Sequence, residues 1–123
     1  MLAGSKVVAF LATSDVARAK AFYGEVLGLR LLSEDGFAVV FDSNGTTLRV
    51  AIVQEVVPAP YTVLGWDVHD ITAIVRGLEA AGVVFERYAW LQQDDLGIWN
   101  SPSGAKVAWF KDLDGNVLSV SQH

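Results

Sequence analysis

The chain has 123 residues, a hydrophobic content of 52% and a net charge of −5, which describe one globular domain with a substantial core. The excess of acidic over basic residues argues against nucleic acid as a partner, because binding its phosphates needs clustered Lys and Arg, and no basic amphipathic stretch suggests a membrane surface. The absence of cysteine excludes disulfides, thiolate nucleophiles and thiolate metal sites.

The N-terminal segment MLAGSKVVAFLATSD carries a single lysine and a short apolar run. The run is too short to cross a bilayer, and the segment is a poor match to a secretion signal. We therefore expect a cytoplasmic protein with neither a membrane nor a nucleic acid as partner.

A strand followed by a helix is predicted twice in the chain. The segments VVAFLATSD and TVLGWDVHD each have the pattern of a strand that ends in a helix-capping aspartate, Asp15 and Asp70. Apolar residues at helical spacing follow each aspartate, and Gly28 and Gly82 stand where a left-handed helix end is expected. The internal repeat therefore predicts two helices of similar length with the same start and stop signals.

Strands and tight turns follow each helix. In the first copy, LRLLSEDG, FAVVFDSNG and TTLRVAIVQ predict three strands. In the second copy, VVFERYAW, GIWNSPSG, AKVAWFKDLDG and NVLSVS predict strands, with the polar loop LQQDD after the first. The second copy is longer, so it carries an insertion around Gln92 to Gly104 whose pairing the sequence does not define.

The predicted fold class is α+β, with two tandem βαβββ modules in a single domain. Module one spans residues 5–55 and module two spans residues 61–123, because Pro58 and Pro60 between them disfavour regular structure. Since a helix follows each opening strand, the helices are expected to cover the outer face of a cup-shaped mixed sheet.

Two runs of residues resemble the vicinal oxygen chelate superfamily, which includes glyoxalase I, bleomycin-resistance proteins and ring-cleaving dioxygenases. The run WFKDLDGNVLSV is similar to the family's closing signature, with Leu113 in place of the usual proline. The run SDVARAKAFYGEVLGLRLL matches the family's first-helix signature at Asp15, Ala19, Phe22, Tyr23, Leu27 and Gly28. The resemblance covers nearly the whole chain and implies the paired βαβββ fold and a homodimer, whereas unrelated activities share that fold.

The resemblance also implies where a metal would be held, since the family's enzymes bind a divalent ion through His and Glu on the opening and closing strands. The side chains at these positions cannot replace such ligands, because valine has no lone pair, arginine is a permanent cation and a neutral serine is a poor ligand. A one-residue slip in the alignment would bring in Val50, which is no better. His69 and His123 are not at ligand spacing, so we expect no metal and no cofactor. The four matching positions are Val8, Arg49, Val63 and Ser119.

An aromatic and apolar lining with isolated polar groups is typical of a small-molecule pocket. Strand alternation and the repeat predict such a lining for the cup. The planar guanidinium of Arg49 suits a carboxylate, phosphate or enolate. Trp90 and Trp99 flank the insertion and are placed to close the cup. The candidate ligand-binding residues are Phe10, Phe37, Val39, Arg49, Trp99, Trp109 and Ser119.

Each candidate also has a purely structural interpretation. Trp109 and Phe37 could be ordinary core residues, and Arg49 could lie on a solvated strand face. For Phe22 and Tyr23 the packing interpretation is favoured over a chemical one. The adjacent carboxylates Asp94 and Asp95 are expected to lie in a solvated lid loop rather than to form an acid–base pair.

Two functions of different classes follow from the sequence. The first is a metal-independent binding protein that holds a small aromatic or anionic ligand in an apolar cup. The second is a glyoxalase-like lyase or a dioxygenase-like enzyme that uses non-standard metal ligands or none. The side chains at the four matching positions favour the first. A domain with a vestigial cup is a third possibility, and the sequence identifies neither the ligand nor any catalytic residue.

Overall fold

The computed structural model of the chain describes residues 1–123. The chain forms two compact units, Met1–Val57 and Pro58–His123, and we call them module one and module two. The division falls within the proline-containing connector. No helix in either module has the length and apolar character needed to span a membrane.

Module one is a four-stranded mixed sheet with a helix packed on one face. Its strands are β1 (Val8–Thr13), β2 (Arg30–Glu34), β3 (Ala38–Ser43) and β4 (Thr46–Ile52). They follow the spatial order β1-β4-β3-β2. The first strand runs parallel to the fourth, and the other neighbours are antiparallel.

The helix of module one begins at the predicted aspartate. Helix α1 (Val16–Ala19) is capped by Asp15, whose side chain accepts a hydrogen bond from the backbone N–H of Arg18 at 3.0 Å. The chain then continues as a π-helix (Lys20–Val26), a form that the apolar spacing did not predict. It ends at Gly28, whose φ of 75° is the expected left-handed C-terminal conformation.

The core of module one lies between this helix and the sheet. The rings of Phe22 and Tyr23 are buried with their centroids 5.2 Å apart, and Tyr23 also lies 5.9 Å from Phe41 of β3. The packing interpretation of the two helix aromatics is therefore confirmed. The sheet side of this core consists of Leu11, Val39, Phe41, Leu48 and Val50.

Module two repeats the arrangement. Its helix α2 (Ile71–Ala80) is capped by Asp70, which accepts from the backbone N–H of Ala73 at 3.1 Å, and it ends before Gly82, whose φ is 97°. Its strands are β5 (Thr62–Asp67), β6 (Trp99–Asn100), β7 (Lys106–Lys111) and β8 (Val117–Gln122). Their spatial order is β5-β8-β7-β6, and the opening strand β5 runs parallel to the closing strand β8. The predicted α+β fold of two βαβββ modules is therefore confirmed.

Two separate segments of the chain pair with the outer edge of β7. Phe85 forms a single antiparallel bridge with Phe110, whereas Trp99 pairs with Val107 in the short strand β6. The prediction of a full strand over VVFERYAW is therefore wrong, because the chain leaves the sheet after Glu86. Residues 87–98 form a loop that interrupts the edge strand. This loop holds the first part of the insertion predicted around Gln92 to Gly104, and the strand β6 follows it.

Candidate functional site

Each sheet has one face covered by the helix of its own module. The opposite face is called the open face of that module. Side chains alternate between the two faces along a strand, so the register decides which residues a ligand on the open face would meet.

The open face of module one has Arg49 at its centre. In the register, Arg49 lies between Phe10 of β1 and Val40 of β3. The Phe10 side chain is 62% exposed, which is unusual for a phenylalanine in a strand. The structure thus places two predicted site residues, Phe10 and Arg49, side by side.

The guanidinium of Arg49 makes no hydrogen bond and no ion pair within the chain. Its charge acts on Asp35, whose carboxylate accepts hydrogen bonds from the N–H groups of Phe37 at 2.7 Å and Ala38 at 3.0 Å. These two bonds, and then the charge of Arg49, hold the pKa of Asp35 below its usual range. The arginine is therefore free to contact an anion.

Val39 lies on the other face of its strand. It is fully buried beneath the helix and pairs with Val50, so the expectation that it lines the open face is not met. The physical reason is the hairpin length. Ser43 pairs with Thr46 across a two-residue turn, whereas the matching hairpin of module two has a longer turn. Because a shift of one residue exchanges the faces, Val40 takes the place predicted for Val39.

Phe37 precedes β3 rather than belonging to it. Its carbonyl accepts a hydrogen bond from the N–H of Ile52 at 2.8 Å, which ties the segment to the end of β4. The ring is largely exposed. Phe37 is thus available at the end of the sheet but is not part of the row that contains Arg49.

The open face of module two is organised around Trp109. In the register, Trp109 of β7 lies beside Ser119 of β8, which lies beside Gly65 of β5. The indole Nε1–H donates a hydrogen bond to the Thr62 hydroxyl at 3.1 Å. Since β8 lies between β7 and β5, the indole extends across the closing strand. Thr62 reaches the open face through an irregularity in the register between Thr62 and Leu64.

Four aromatic rings form a continuous cluster on this face. The ring of Trp99 lies 6.0 Å from that of Trp109, and Tyr88 meets Trp109 edge to face at 5.5 Å. Trp90, which is 77% exposed, lies 4.9 Å from Tyr88. We call Tyr88, Trp90, Trp99 and Trp109 the aromatic cluster.

The environment of Tyr88 changes its acidity. Burial raises the pKa of the Tyr88 hydroxyl, the charge of Glu86 raises it further, and Lys111 acts in the opposite direction. Glu86 and Lys111 form an ion pair at 3.4 Å. Tyr88 is therefore a neutral hydroxyl in the ordinary pH range.

Ser119 presents a hydroxyl that makes no hydrogen bond within the chain. Its Oγ lies above Gly65, where a Cβ atom added to the glycine would come within 2.7 Å of it. A side chain at position 65 would therefore displace this hydroxyl. The pairing of Gly65 with Ser119 keeps a small polar group accessible beside a large aromatic one.

The loop that carries Tyr88 and Trp90 is held by hydrogen bonds. The Gln93 amide donates to the carbonyls of Glu86 at 2.9 Å and Gly97 at 2.8 Å and accepts from the N–H of Tyr88 at 2.8 Å. Arg87 donates to the carbonyls of Asp94 and Asp95. One carboxylate oxygen of Asp94 accepts from two N–H groups of its own turn, so this residue has a structural role. The conformation of this loop is thus fixed by side-chain hydrogen bonds to its own backbone.

The donor set does not fit a divalent metal. Val8 and Arg49 of module one, and Val63 and Ser119 of module two, supply neither a carboxylate nor an imidazole. No group of three or more His, Asp or Glu side chains in the chain could hold a metal ion. His123 lies 3.4 Å from one oxygen of Asp67, and two such groups make an incomplete site.

Three residues of the module two face were not predicted. Thr62 and Gly65 lie on the same strand as Val63. Regular alternation from Val63 would turn Thr62 to the opposite face, but the register shifts between Thr62 and Leu64. Tyr88 was assigned to a regular strand, although the concentration of aromatic residues in FERYAW would have drawn attention to it. The hydrogen bond of Trp109 and the position of Gly65 next to Ser119 depend on strand pairing, which the local sequence does not specify.

Comparisons with known proteins agree with this architecture. A family model described as the Glyoxalase/Bleomycin resistance protein/Dioxygenase superfamily matches residues 6–120. No curated protein sequence matches the chain.

Many solved structures share the fold. A glyoxalase family protein from Enterococcus faecalis is 22% identical with a TM-score of 0.77, covering 98% of this chain and 99% of that chain. Lactoylglutathione lyase from Agrobacterium tumefaciens is 21% identical with a TM-score of 0.74, covering 97% and 93%. TioX from Micromonospora sp. ML1 is 24% identical with a TM-score of 0.72, covering 98% and 99%. At these identities the similarity shows the fold alone.

Proposed function

The chain belongs to the glyoxalase/bleomycin resistance protein/dioxygenase superfamily, and within it we propose that this protein binds a small aromatic or anionic organic molecule without a metal. The observation that carries the proposal is the aromatic cluster on the open face of module two. Its rings are partly exposed, and the hydroxyl of Ser119 lies beside them. Aromatic walls with a few placed polar groups are the usual composition of a small-molecule site.

Arg49 supports the anionic part of the proposal. It is a permanent cation without an ion-pair partner in the chain, and its neighbours in the register are apolar, Phe10 and Val40. A cation beside apolar side chains binds a carboxylate or phosphate more strongly than one on a fully solvated surface. Arg49 is therefore the proposed contact for a negatively charged group.

The side chains at the matching metal positions support a binding role over catalysis. Two valines, an arginine and a serine replace the His and Glu ligands expected of the family's enzymes. The enzymatic alternative, a lyase or dioxygenase with non-standard ligands or none, has one observation in its favour. His123 places its Nδ1 3.4 Å from Asp67, and a histidine oriented by a carboxylate can act as a base. Both groups are largely exposed, and we favour the binding role.

We also propose that the protein forms a homodimer. The support is the family resemblance, together with several exposed apolar side chains, including those of Val57 and Val84. Sedimentation equilibrium measures the mass in solution. A dimer supports this proposal, and a monomer at high protein concentration contradicts it.

Ligand identification tests the proposed function. Tag-free protein is incubated with a mixed library of small organic molecules, separated from unbound compounds and analysed by mass spectrometry after denaturation. Wild type should retain one class of compound, and Trp109→Leu should retain much less of it. Trp66→Leu is the matched control, because Trp66 pairs with Val120 on the helix-covered face. Retention that is equal in all three proteins would contradict the assignment of the site.

A further inference from the structure

We propose that the site on module two takes a neutral planar ring that stacks on Trp109 and places a hydrogen-bonding substituent on the hydroxyl of Ser119. This inference rests on the proposed binding function and names the ligand class for one of its two faces. Three observations carry it, namely the fixed indole, the free hydroxyl and the glycine next to it.

Trp109 can offer a ligand only its ring. An indole has a single polar group, the Nε1–H, and here that group is used by the Thr62 hydroxyl at 3.1 Å. Contacts with Tyr88 at 5.5 Å and Trp99 at 6.0 Å hold the ring on two further sides. A ring that is fixed in orientation and has no free donor recognises its partner through stacking and apolar contact.

Ser119 supplies the polar contact at the edge of that ring. It is the residue directly opposite Trp109 in the antiparallel pair, where side chains on one face lie about 5 Å apart. Its hydroxyl has no partner in the chain, and a hydroxyl both donates and accepts. A substituent such as a phenolic hydroxyl or a ring nitrogen would satisfy it.

Gly65 determines whether this hydroxyl can be used. A Cβ at this position would lie 2.7 Å from the Ser119 Oγ and 3.5 Å from the Ser119 carbonyl oxygen. The hydroxyl would have to turn away, and the surface next to it would be filled. Gly65 is therefore a specificity-determining residue of this face.

The charges around Trp109 favour a neutral ligand. Lys111, on the same strand, is paired with Glu86 at 3.4 Å. Asp67 lies two residues further along β5, beside Ser121, and its carboxylate has His123 at 3.4 Å. The row that contains Trp109, Ser119 and Gly65 therefore holds no unpaired cation that would favour an anion over a neutral ligand.

Matched probes test this inference. Isothermal titration calorimetry compares 2-naphthol with decahydro-2-naphthol, which has the hydroxyl but no aromatic ring, and with 2-methylnaphthalene, which has the ring but no hydroxyl. Wild type should bind 2-naphthol more tightly than either. Ser119→Ala and Gly65→Ala should reduce the preference for 2-naphthol over 2-methylnaphthalene by about 2- to 10-fold, the effect of one hydrogen bond.

Two controls accompany these variants. Ser121→Ala removes a hydroxyl from the same face of β8 in the next row, and Gly77→Ala adds a methyl group where nothing lies within 4 Å. Both should keep the preference for 2-naphthol.

Equal binding of the saturated probe, an unchanged preference in Ser119→Ala, or no binding of any aromatic probe would overturn the inference. If the library experiment still finds a retained compound that depends on Trp109, the proposed function stands and the ligand class is wrong. If neither experiment finds a bound molecule, both proposals fail.

Discussion

The indole N–H of Trp109 and the hydroxyl of Thr62 form a 3.1 Å hydrogen bond between two strands that are not neighbours. The bond extends over the closing strand β8 and fixes the orientation of the largest ring on the open face of module two. It exists because the register between β5 and β8 shifts after Thr62, which turns this side chain to the open face. A local irregularity in the opening strand thus orients the central residue of the candidate site.

Removing the Thr62 hydroxyl should loosen Trp109. Thr62→Val keeps the β-branched shape but leaves the indole N–H without its acceptor, so the free energy of unfolding should fall by about 0.5–1 kcal/mol. The indole N–H resonance of Trp109 should also shift in an NMR spectrum. Thr46→Val, at an exposed strand start, is the control and should change neither quantity. An unchanged indole resonance in Thr62→Val would show that the bond is absent in solution.

Tyr88 should ionise above the usual tyrosine value of about 10, because burial and Glu86 both raise its pKa. A raised pKa in the folded state stabilises the protein below the pKa of the unfolded state, and this contribution is lost as pH rises through the folded pKa. The difference between the phenolate absorbance titrations of wild type and Tyr88→Phe separates Tyr88 from the buried Tyr23, and its midpoint should lie above about 10. In a Glu86→Gln background, the midpoint of the same difference should move to lower pH. A midpoint at or below about 10 in the wild-type background would refute this assignment.

Arg49→Gln should weaken anion binding and leave stability nearly unchanged. The guanidinium has no ion-pair partner to lose, so the melting temperature should stay close to that of wild type. Affinity for benzoate should fall by about 10-fold or more, the effect of a charge-assisted hydrogen bond, whereas affinity for benzamide should not change. Arg76→Gln removes an exposed arginine from helix α2 and is the control. Equal benzoate binding by wild type and Arg49→Gln would exclude Arg49 as the anion contact.

Two adjacent glutamines should differ sharply in their contribution to the loop of residues 87–98. Gln93→Ala removes three hydrogen bonds to backbone groups and should cost about 1–3 kcal/mol of stability. Gln92→Ala removes an exposed amide and should cost almost nothing. Hydrogen exchange should accelerate across the loop in the first variant alone. Similar exchange in both variants would mean that Gln93 does not fasten the loop.

The sequence predicted those features of the fold that depend on local signals. Both helix caps, both left-handed glycines and the strands of module one depend on nearby residues, and the structure has them as predicted. The repeat then gave the module architecture, because the same signals occur twice in the same order. The π-helical turns over Lys20–Val26 were not predictable, since their apolar spacing resembles that of an α-helix.

The candidate site was predicted less completely, because side-chain direction depends on register. Val39 was expected on the open face because it matches Trp109 in the repeat. The β3 side of the module one hairpin is one residue shorter than the β7 side of the module two hairpin, so the Val39 side chain lies on the opposite face. Thr62 was missed because of the irregular register of β5. Tyr88 was missed because the edge strand of module two is interrupted by a loop. In each case, a long-range pairing rather than a local preference sets the position of the side chain.

Native mass spectrometry of tag-free protein, purified without chelator and then offered Zn²⁺, Mn²⁺ or Ni²⁺, distinguishes a metal-independent binding protein from a metal-dependent enzyme. We expect a species that carries no stoichiometric metal before or after the addition and that retains a small organic molecule, which Trp109→Leu loses. One tightly bound divalent ion per chain, without a retained organic molecule, would instead favour a metal-dependent enzyme.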